Sequence, residues 1–203
     1  MKKLIHFVLI CVFVVSIFLL GGLIADKKQL QEKLIRMHII ANSDESIDQG
    51  NKLVVRDAVI SFLDEHMKGI TTMQQAKSFL QAHILEIEDV ANSALGSVKA
   101  QYKATATLVE EAFSRRDYKT FSLPSGIYQS LKIELGEAEG KNWWCVAFPT
   151  LCIPTTNDEF QDMAVEAGFQ EGVVATVSGE NGYKIRFFIL DCLGKVENFF
   201  HFS

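Results

Sequence analysis

Cys145 and Cys152 are the residues whose types and spacing most directly suggest covalent chemistry. They lie seven positions apart and flank Phe148-Pro149. If Cys145 ends a strand and the proline turns the chain, their Cα atoms can approach within the roughly 4.4–6.8 Å that a disulfide requires. We predict that they pair in an oxidising compartment, which would leave Cys192 as an odd thiol. The alternative is two reduced, buried cysteines.

A catalytic role for Cys145 would require a histidine as its general base. The candidates His38, His66, His83 and His201 stand in no recognisable motif. The sequence also has no phosphate loop, no dinucleotide fingerprint and no paired metal-binding cysteines. We therefore predict that the protein is not an enzyme and uses no metal or cofactor. An exported hydrolase of cell-wall or peptide substrates, with Cys145 as nucleophile, is kept as the alternative.

The pair Trp143-Trp144 precedes Cys145 in a predicted strand. Neighbouring residues of a strand point to opposite faces of its sheet. One tryptophan should therefore enter the core, while the other should meet solvent, a helix layer or a partner. Large aromatic side chains are common anchors in protein interfaces. The alternative is that both are buried in a sheet covered on both faces.

The charge balance argues against a nucleic-acid partner. The chain has 20 basic and 25 acidic residues, a formal net charge of −5, and no run of Lys or Arg. Proteins that bind nucleic acid usually present a basic face, because their affinity comes from neutralising phosphates.

An uncharged apolar segment, Leu4–Ile24, follows Lys2-Lys3 at the N-terminus. As a helix it would rise about 31 Å, which is enough to cross the hydrocarbon core of a bilayer. We predict that residues 1–25 are a cleaved signal peptide or an uncleaved signal anchor, with the lysine end inside. A buried core helix is the third possibility. The exported domain is expected to span residues 30–203.

The rest of the sequence predicts a single α+β domain with helices packed on a mostly antiparallel sheet. Alternation of apolar and polar residues predicts four strands: Leu34–Ala41, Val98–Leu108, Ile127–Leu135 and Trp143–Phe148. The last two are predicted to form a hairpin, because their link is polar and contains glycine.

Helical spacing of apolar residues predicts the other elements of the domain. The expected helices are Ile47–Leu63, Met73–Leu95, Asn157–Gly168 and the tail from Tyr183 onward. Two capping boxes are predicted at helix starts, Ser46 with Gln49 and Thr72 with Gln75.

Two parts of the sequence resemble the stage II sporulation protein R family. The first consists of Leu34–Asp44 and Lys52–Val59, and the second of Leu123–Tyr128 and Gly140–Cys152. The run Asn-Trp-Trp-Cys-Val, followed by Phe-Pro and Leu-Cys, is the most specific part. Thr150 stands where the family pattern leads us to expect a second proline.

The resemblance implies an exported signal of endospore formation. Such proteins are made in the forespore and exported to the space between the two membranes. There they activate a membrane-embedded aspartyl protease of the stage II sporulation GA type, which processes the mother-cell pro-sigma factor. The family member would thus be a ligand, secreted or held at the membrane by its N-terminal segment.

A ligand activates its receptor only by binding the active state preferentially. We expect this binding to come from residues of the matched stretches that are exposed. The candidates are Arg36, His38, Asn42, Asp44, Arg56, Asp57 and one of Trp143 and Trp144. The alternative is that these residues are helix caps and core.

Overall fold

A computed structural model describes residues 2–118, 120–149, 164–165, 167–179 and 184–201 of the chain. The helices are α1 (Lys2–Lys33), α2 (Ser46–His66), α3 (Met73–Ala82), α4 (Ile84–Ser97), α5 (Glu171–Val177) and α6 (Lys184–His201). The strands are β1 (Ile35–Ile40), β2 (Ala104–Phe113), β3 (Arg116–Asp117), β4 (Ser122–Leu123), β5 (Gly126–Leu135) and β6 (Asn142–Phe148).

The main sheet has the strand order β2-β5-β1-β6, and β3 pairs with β4 in a small ribbon. Strand β1 runs parallel to β5 and antiparallel to β6, and β2 runs antiparallel to β5. The mixed helix-and-sheet domain with a mostly antiparallel sheet is therefore confirmed.

The predicted hairpin between β5 and β6 is wrong, because β1 lies between them. The link that joins these two strands folds over the end of β1 instead of turning tightly. Gly140 N donates to the carbonyl of Ala41 at 2.9 Å, and Glu139 N donates to that of Asn42 at 3.1 Å. A Cβ at position 140 would overlap the carbonyl of Ser43, so only glycine permits this approach.

Helix starts and ends agree with the sequence-based expectation in one place and differ from it in two. The Thr72–Gln75 capping box is confirmed. At α2 the N-cap is Glu45 and makes no side-chain cap bond, so the Ser46 capping box is wrong. The predicted helix over 73–95 is divided at His83, which ends α3 and begins α4.

Strand β2 begins six residues later than its alternation suggested. Helix α4 continues to Ser97, and Lys99 adopts a positive φ of 58° that turns the chain. Ala100 N then donates to the carbonyl of Leu95 at 3.1 Å, which keeps this segment at the helix end. The hydrogen bonds at the end of α4 therefore decide the conformation of this segment, although its residues alternate as in a strand.

Helices cover both faces of the sheet. On one face α2, α3 and α4 close an aliphatic cluster built around Met37, Ile39, Val59 and Leu131, all fully buried. On the other face α1 and α5 close an aromatic-rich cluster, and α6 packs beside them against β5. Strand β1 is buried on both sides, although its alternation of apolar and polar residues had suggested one polar face.

Helix α1 does not end at the predicted boundary near residue 25. It continues to Lys33, and its second half buries Leu23 and Leu30 against the domain. Among the residues that the structure describes, no helix is sufficiently long and apolar to span a bilayer. The prediction of a transmembrane anchor is therefore not supported.

Two C-terminal predictions have different outcomes. The predicted tail helix is confirmed as α6, Lys184–His201. The predicted helix over Asn157–Gly168 lies mostly outside the described residues.

Candidate functional site

His38 is the centre of a polar cluster on the aromatic-rich face of the sheet. It is 6% exposed, and its Nδ1 donates to the Glu111 carboxylate at 3.1 Å. Its Nε2 lies 2.9 Å from Asn142 Oδ1. The Trp144 ring stacks on the imidazole with centroids 3.7 Å apart and an interplanar angle of 17°. Three strands thus hold this ring, since His38, Glu111 and Asn142 belong to β1, β2 and β6.

The surroundings of Glu111 favour the ionised form of its carboxyl group. Burial is the largest single influence and would raise the pKa of this group, but the hydrogen bond from His38, together with the other polar and positively charged neighbours, holds the pKa below its usual range. A charge-assisted hydrogen bond of this kind is stronger than a neutral one. The pair therefore fixes the register of β2 and β1 across the intervening strand β5.

Arg36 is fully buried two residues before His38 in β1. Its guanidinium lies 4.0 Å from the ring centroid of Phe113 and 5.2 Å from that of Tyr128. One nitrogen, Nη2, donates to the Tyr118 hydroxyl at 3.1 Å. Among the described residues, Nε and Nη1 have no hydrogen-bond partner. An arginine in this setting is held by ring faces more than by hydrogen bonds.

The two tryptophans lie half-buried on opposite faces of β6, one packing against each cluster. The guanidinium of Arg56 covers Trp143 at 4.5 Å from the ring centroid. That of Arg116 covers Trp144 at 4.8 Å. The sheet is covered on both faces, as one alternative predicted, yet neither indole is completely enclosed.

The loop after β1 is fastened by the buried carboxylate of Asp48, which is 6% exposed. Asn42 Nδ2 and Ser43 Oγ each donate to this group at 2.7 Å, and the Tyr102 hydroxyl donates to it at the same distance. The hydrogen bonds from Ser43 and Asn42 lower the pKa of Asp48. The side chain of Asn42 therefore has a structural role in this loop.

The exposed part of this region surrounds the start of β6. Asp44 Oδ1 accepts from Lys141 N at 2.7 Å, and Arg56 Nε donates to Asp57 at 2.7 Å. We use the name tryptophan corner for this surface: Asp44, Arg56, Asp57, Lys141, Asn142, Trp143 and Trp144. It joins the first turn after β1, one side of α2 and the first residues of β6.

The predicted receptor contacts fall into three groups in the structure. Arg36 and His38 are buried, so the premise that they are exposed is wrong. Asn42 is half-buried in the loop network, and the tryptophan corner contains the others. Sequence reasoning missed Glu111, because its partnership with His38 depends on a strand register that crosses β5.

Among the described residues, the cysteines do not form a recognisable catalytic arrangement with the histidines. Cys145 pairs in register with Met37 and packs in the aliphatic cluster, whereas His38 points to the opposite face of the sheet. His66 bonds to a carbonyl of its own helix at 2.9 Å. Cys152 lies outside the described residues, so the disulfide stays a prediction, and Cys192 is a free thiol.

No candidate metal centre was found in the part of the chain that the structure describes. No group of three or more His, Cys, Asp or Glu side chains there could hold a metal ion.

Comparison with known proteins agrees with the resemblance seen in the sequence. The family model of stage II sporulation protein R matches residues 31–158. Stage II sporulation protein R of Bacillus subtilis (strain 168) is 30% identical over 157 residues, covering 71% of this chain and 70% of that protein. No solved structure matches the chain. The chain therefore belongs to the stage II sporulation protein R family.

Proposed function

We propose that this protein is an exported signalling ligand of endospore formation. In this proposal it leaves the forespore, reaches the intermembrane space and activates a membrane-embedded aspartyl protease that processes the mother-cell pro-sigma factor. Its membership of the stage II sporulation protein R family carries the proposal. The apolar segment Leu4–Ile24 supports export, because it has the composition of a targeting sequence.

The tryptophan corner is the surface that we propose for receptor docking. It combines two half-buried indoles, an arginine and exposed carboxylates on elements fixed by the sheet and α2. Tryptophan and arginine are enriched among the residues that dominate binding energy at interfaces. Because His38 and Arg56 already hold the two rings, binding would order few additional side chains.

Arg36 and His38 would contribute to this docking only indirectly. His38 stacks on Trp144, and Arg36 shares the Phe113 ring with that tryptophan. They are therefore positioning residues in this proposal, and the direct contacts are the exposed members of the corner.

The test is alanine replacement at Asp44, Arg56, Asp57 and Trp143 in the full chain. Each variant is mixed with membranes carrying the protease and its pro-sigma substrate, and the processed product is measured. We expect at least one of these changes to reduce processing about tenfold or more, as at interface hot spots. Glu65→Ala is the matched control, because Glu65 is exposed on α2 outside the corner.

Two results would contradict the docking proposal. One is normal processing by all four corner variants at equal protein level. The other is an equal loss in the Glu65→Ala control, which would indicate a general defect. Thermal unfolding of each variant distinguishes a lost contact from a lost fold.

Separate replacement of Cys145 and Cys152 tests the predicted disulfide and the hydrolase alternative together. A structural pair predicts matching losses of stability from Cys145→Ser and Cys152→Ser under oxidising conditions. A nucleophile predicts a folded, inactive Cys145→Ser variant, with Cys152→Ser remaining active. Thermal unfolding with and without reductant measures the loss of stability, and the processing assay measures the loss of activity.

A further inference from the structure

Helix α6 is held in the domain by one well-defined face. Phe187, Leu190 and Asp191 are buried there, at 7%, 0% and 3% exposure. Gly194 lies directly on the turn before β5, where a Cβ would overlap the carbonyl of Ser125. This close approach fixes the rotation of the helix about its own axis.

The opposite face of α6 is apolar and exposed. Ile185, Phe188, Val196 and Phe200 are 75%, 62%, 55% and 71% exposed, and Cys192 between them is half-buried. At about 100° per residue these five positions fall within an arc of about 120°, opposite the buried face. A surface helix ordinarily places polar residues on its outer face. An apolar stripe of this size on a folded domain indicates an interaction surface.

The accessible charges on α6 are mainly basic, although the whole chain carries −5. Lys184 is exposed, and Lys195 has 64% of its side chain exposed. Both lysines lie along one edge of the apolar stripe when the helix is projected along its axis. The acids of the helix are shielded. Asp191 is buried, bonded to Ser125 and paired with Lys195 Nζ at 2.9 Å, and Glu197 is paired with Lys27 at 2.6 Å. Lys184 is therefore the main exposed cation of the stripe edge, and the exposed Lys195 shares its charge with Asp191.

The exposed apolar surface continues from α6 onto α1. Arg186 Nε, beside Ile185, donates to Asp26 Oδ2 at 2.6 Å and so joins the first turn of α6 to α1. Two residues before Asp26, the side chain of Ile24 is 58% exposed. The first half of α1 also exposes Leu4 and other large apolar side chains.

We propose that α6 lies along a bilayer surface that contains anionic phospholipid. Phe188, Val196 and Phe200 enter the boundary between headgroups and acyl chains, and Lys184 and Lys195 face the phosphates. An apolar stripe with a lysine edge is the pattern of helices that lie in the membrane interface. The complementary charge and the continuity with α1 favour a lipid surface over a protein groove. The proposal is independent of the function of the tryptophan corner.

The free thiol of Cys192 provides a probe at the centre of the stripe. An environment-sensitive dye is attached to it in the full chain carrying Cys11→Ser, which removes the second free cysteine among the described residues. Vesicles of phosphatidylcholine, with or without phosphatidylglycerol, are then added, and binding is measured by cosedimentation. The matched control carries Ser61→Cys and Cys192→Ser, which places the dye at an exposed site on α2.

We expect a blue shift and quenching by a lipid-embedded quencher for the dye at position 192 on anionic vesicles, and neither change at position 61. Phe188→Ser with Phe200→Ser should lower partitioning about tenfold or more, since exposed residues are changed and the fold is retained. Lys184→Gln should lower it about fivefold on anionic vesicles.

Three outcomes would overturn the proposal. The dye at position 192 could remain in an aqueous environment on vesicles that the chain has bound. It could shift with protein concentration alone, which would indicate self-association. It could also shift only when a proteinaceous receptor domain is present, which would assign the stripe to a protein partner.

Discussion

One face of the central sheet is closed by aliphatic side chains, whereas the other holds a guanidinium and an imidazole among aromatic rings. Met37 and Leu131 represent the first face, and Arg36 and His38 the second, with all four almost completely buried. The aliphatic face is stabilised by the removal of apolar surface from water, which needs no partner at a defined angle. The polar face is stabilised only where its charged groups find partners.

This difference suggests a division of roles between the two faces. The aliphatic face carries the cohesion of the domain with α2, α3 and α4. The polar face fixes the positions of Trp144 and Asn142 at the tryptophan corner. Substitutions on the aliphatic face should therefore reduce the free energy of unfolding most. The effect of substitutions on the polar face should depend on pH and on the shape of the new side chain.

Leu131→Ala should have the largest effect among these changes. Leu131 is fully buried at the centre of β5, so its truncation loses transfer free energy and leaves a cavity. We expect a loss of about 2–5 kcal/mol in the free energy of unfolding, measured by urea titration. Leu108→Ala is the control, because Leu108 is the cross-strand partner of Leu131 but is half-buried. Equal losses at the two positions would contradict the assigned core.

Glu111→Gln should lower the free energy of unfolding by about 1–2 kcal/mol at neutral pH, because a charge-assisted hydrogen bond becomes a neutral one. The folded state lowers the pKa of Glu111 below its ordinary 4.5, so this contribution is fully present above that value. It should disappear as the pH falls through the lower pKa of the folded state. Urea titrations over this acidic range measure the difference between the two proteins.

The neighbouring Glu110→Gln supplies the control for that pH dependence. Glu110 is exposed and accepts a hydrogen bond from Gln129 at 2.6 Å. Its replacement should change the stability less than the Glu111 change does. An acid-dependent loss of the same size in both variants would show that the His38 pairing is not the cause.

Thr72→Ala tests the N-terminal cap of α3, a local feature on the aliphatic side of the sheet. The Thr72 hydroxyl accepts from Gln75 N, and the Gln75 side chain returns a bond to the cap backbone. Loss of this capping box should lower the free energy of unfolding by about 1 kcal/mol, measured by thermal or urea unfolding. Thr72→Ser keeps the hydroxyl and should retain most of the stability. A loss of stability as large as that of Leu131→Ala would contradict a purely local role for this cap.

Arg36→Met should have the smallest effect. We expect the free energy of unfolding, measured by urea titration, to change by no more than about 1 kcal/mol in either direction. Burial removes the guanidinium from water at a cost in free energy, and one hydrogen bond to Tyr118 and the ring contacts offset that cost. An apolar side chain of similar length does not have this desolvation cost. Arg36→Ala should be more destabilising, because it leaves a cavity beneath Phe113. A larger loss from methionine than from alanine would contradict this view of the polar face.

The paired character of the polar face could not be predicted from its residues. Arg36 and His38 alternate with Ile35, Met37 and Ile39, which normally indicates one polar, exposed face of a strand. The structure covers that face with α1 and α5, so the same alternation separates two kinds of core. The pairing of His38 with Glu111 joins residues 73 positions apart and required the sheet register.

Local patterns alone predicted the helices α2 and α6, the strands β1, β5 and β6, and the Thr72–Gln75 cap, because each has the apolar spacing, the alternation or the cap residues of its element within a few positions. The family-specific run around Trp143-Trp144 was equally visible in the sequence. Tertiary structure decided the insertion of β1 between β5 and β6, the burial of Arg36 and the two faces of α6. These features result from the way distant segments compete for the same sheet edges and buried volume, and no local pattern records that competition.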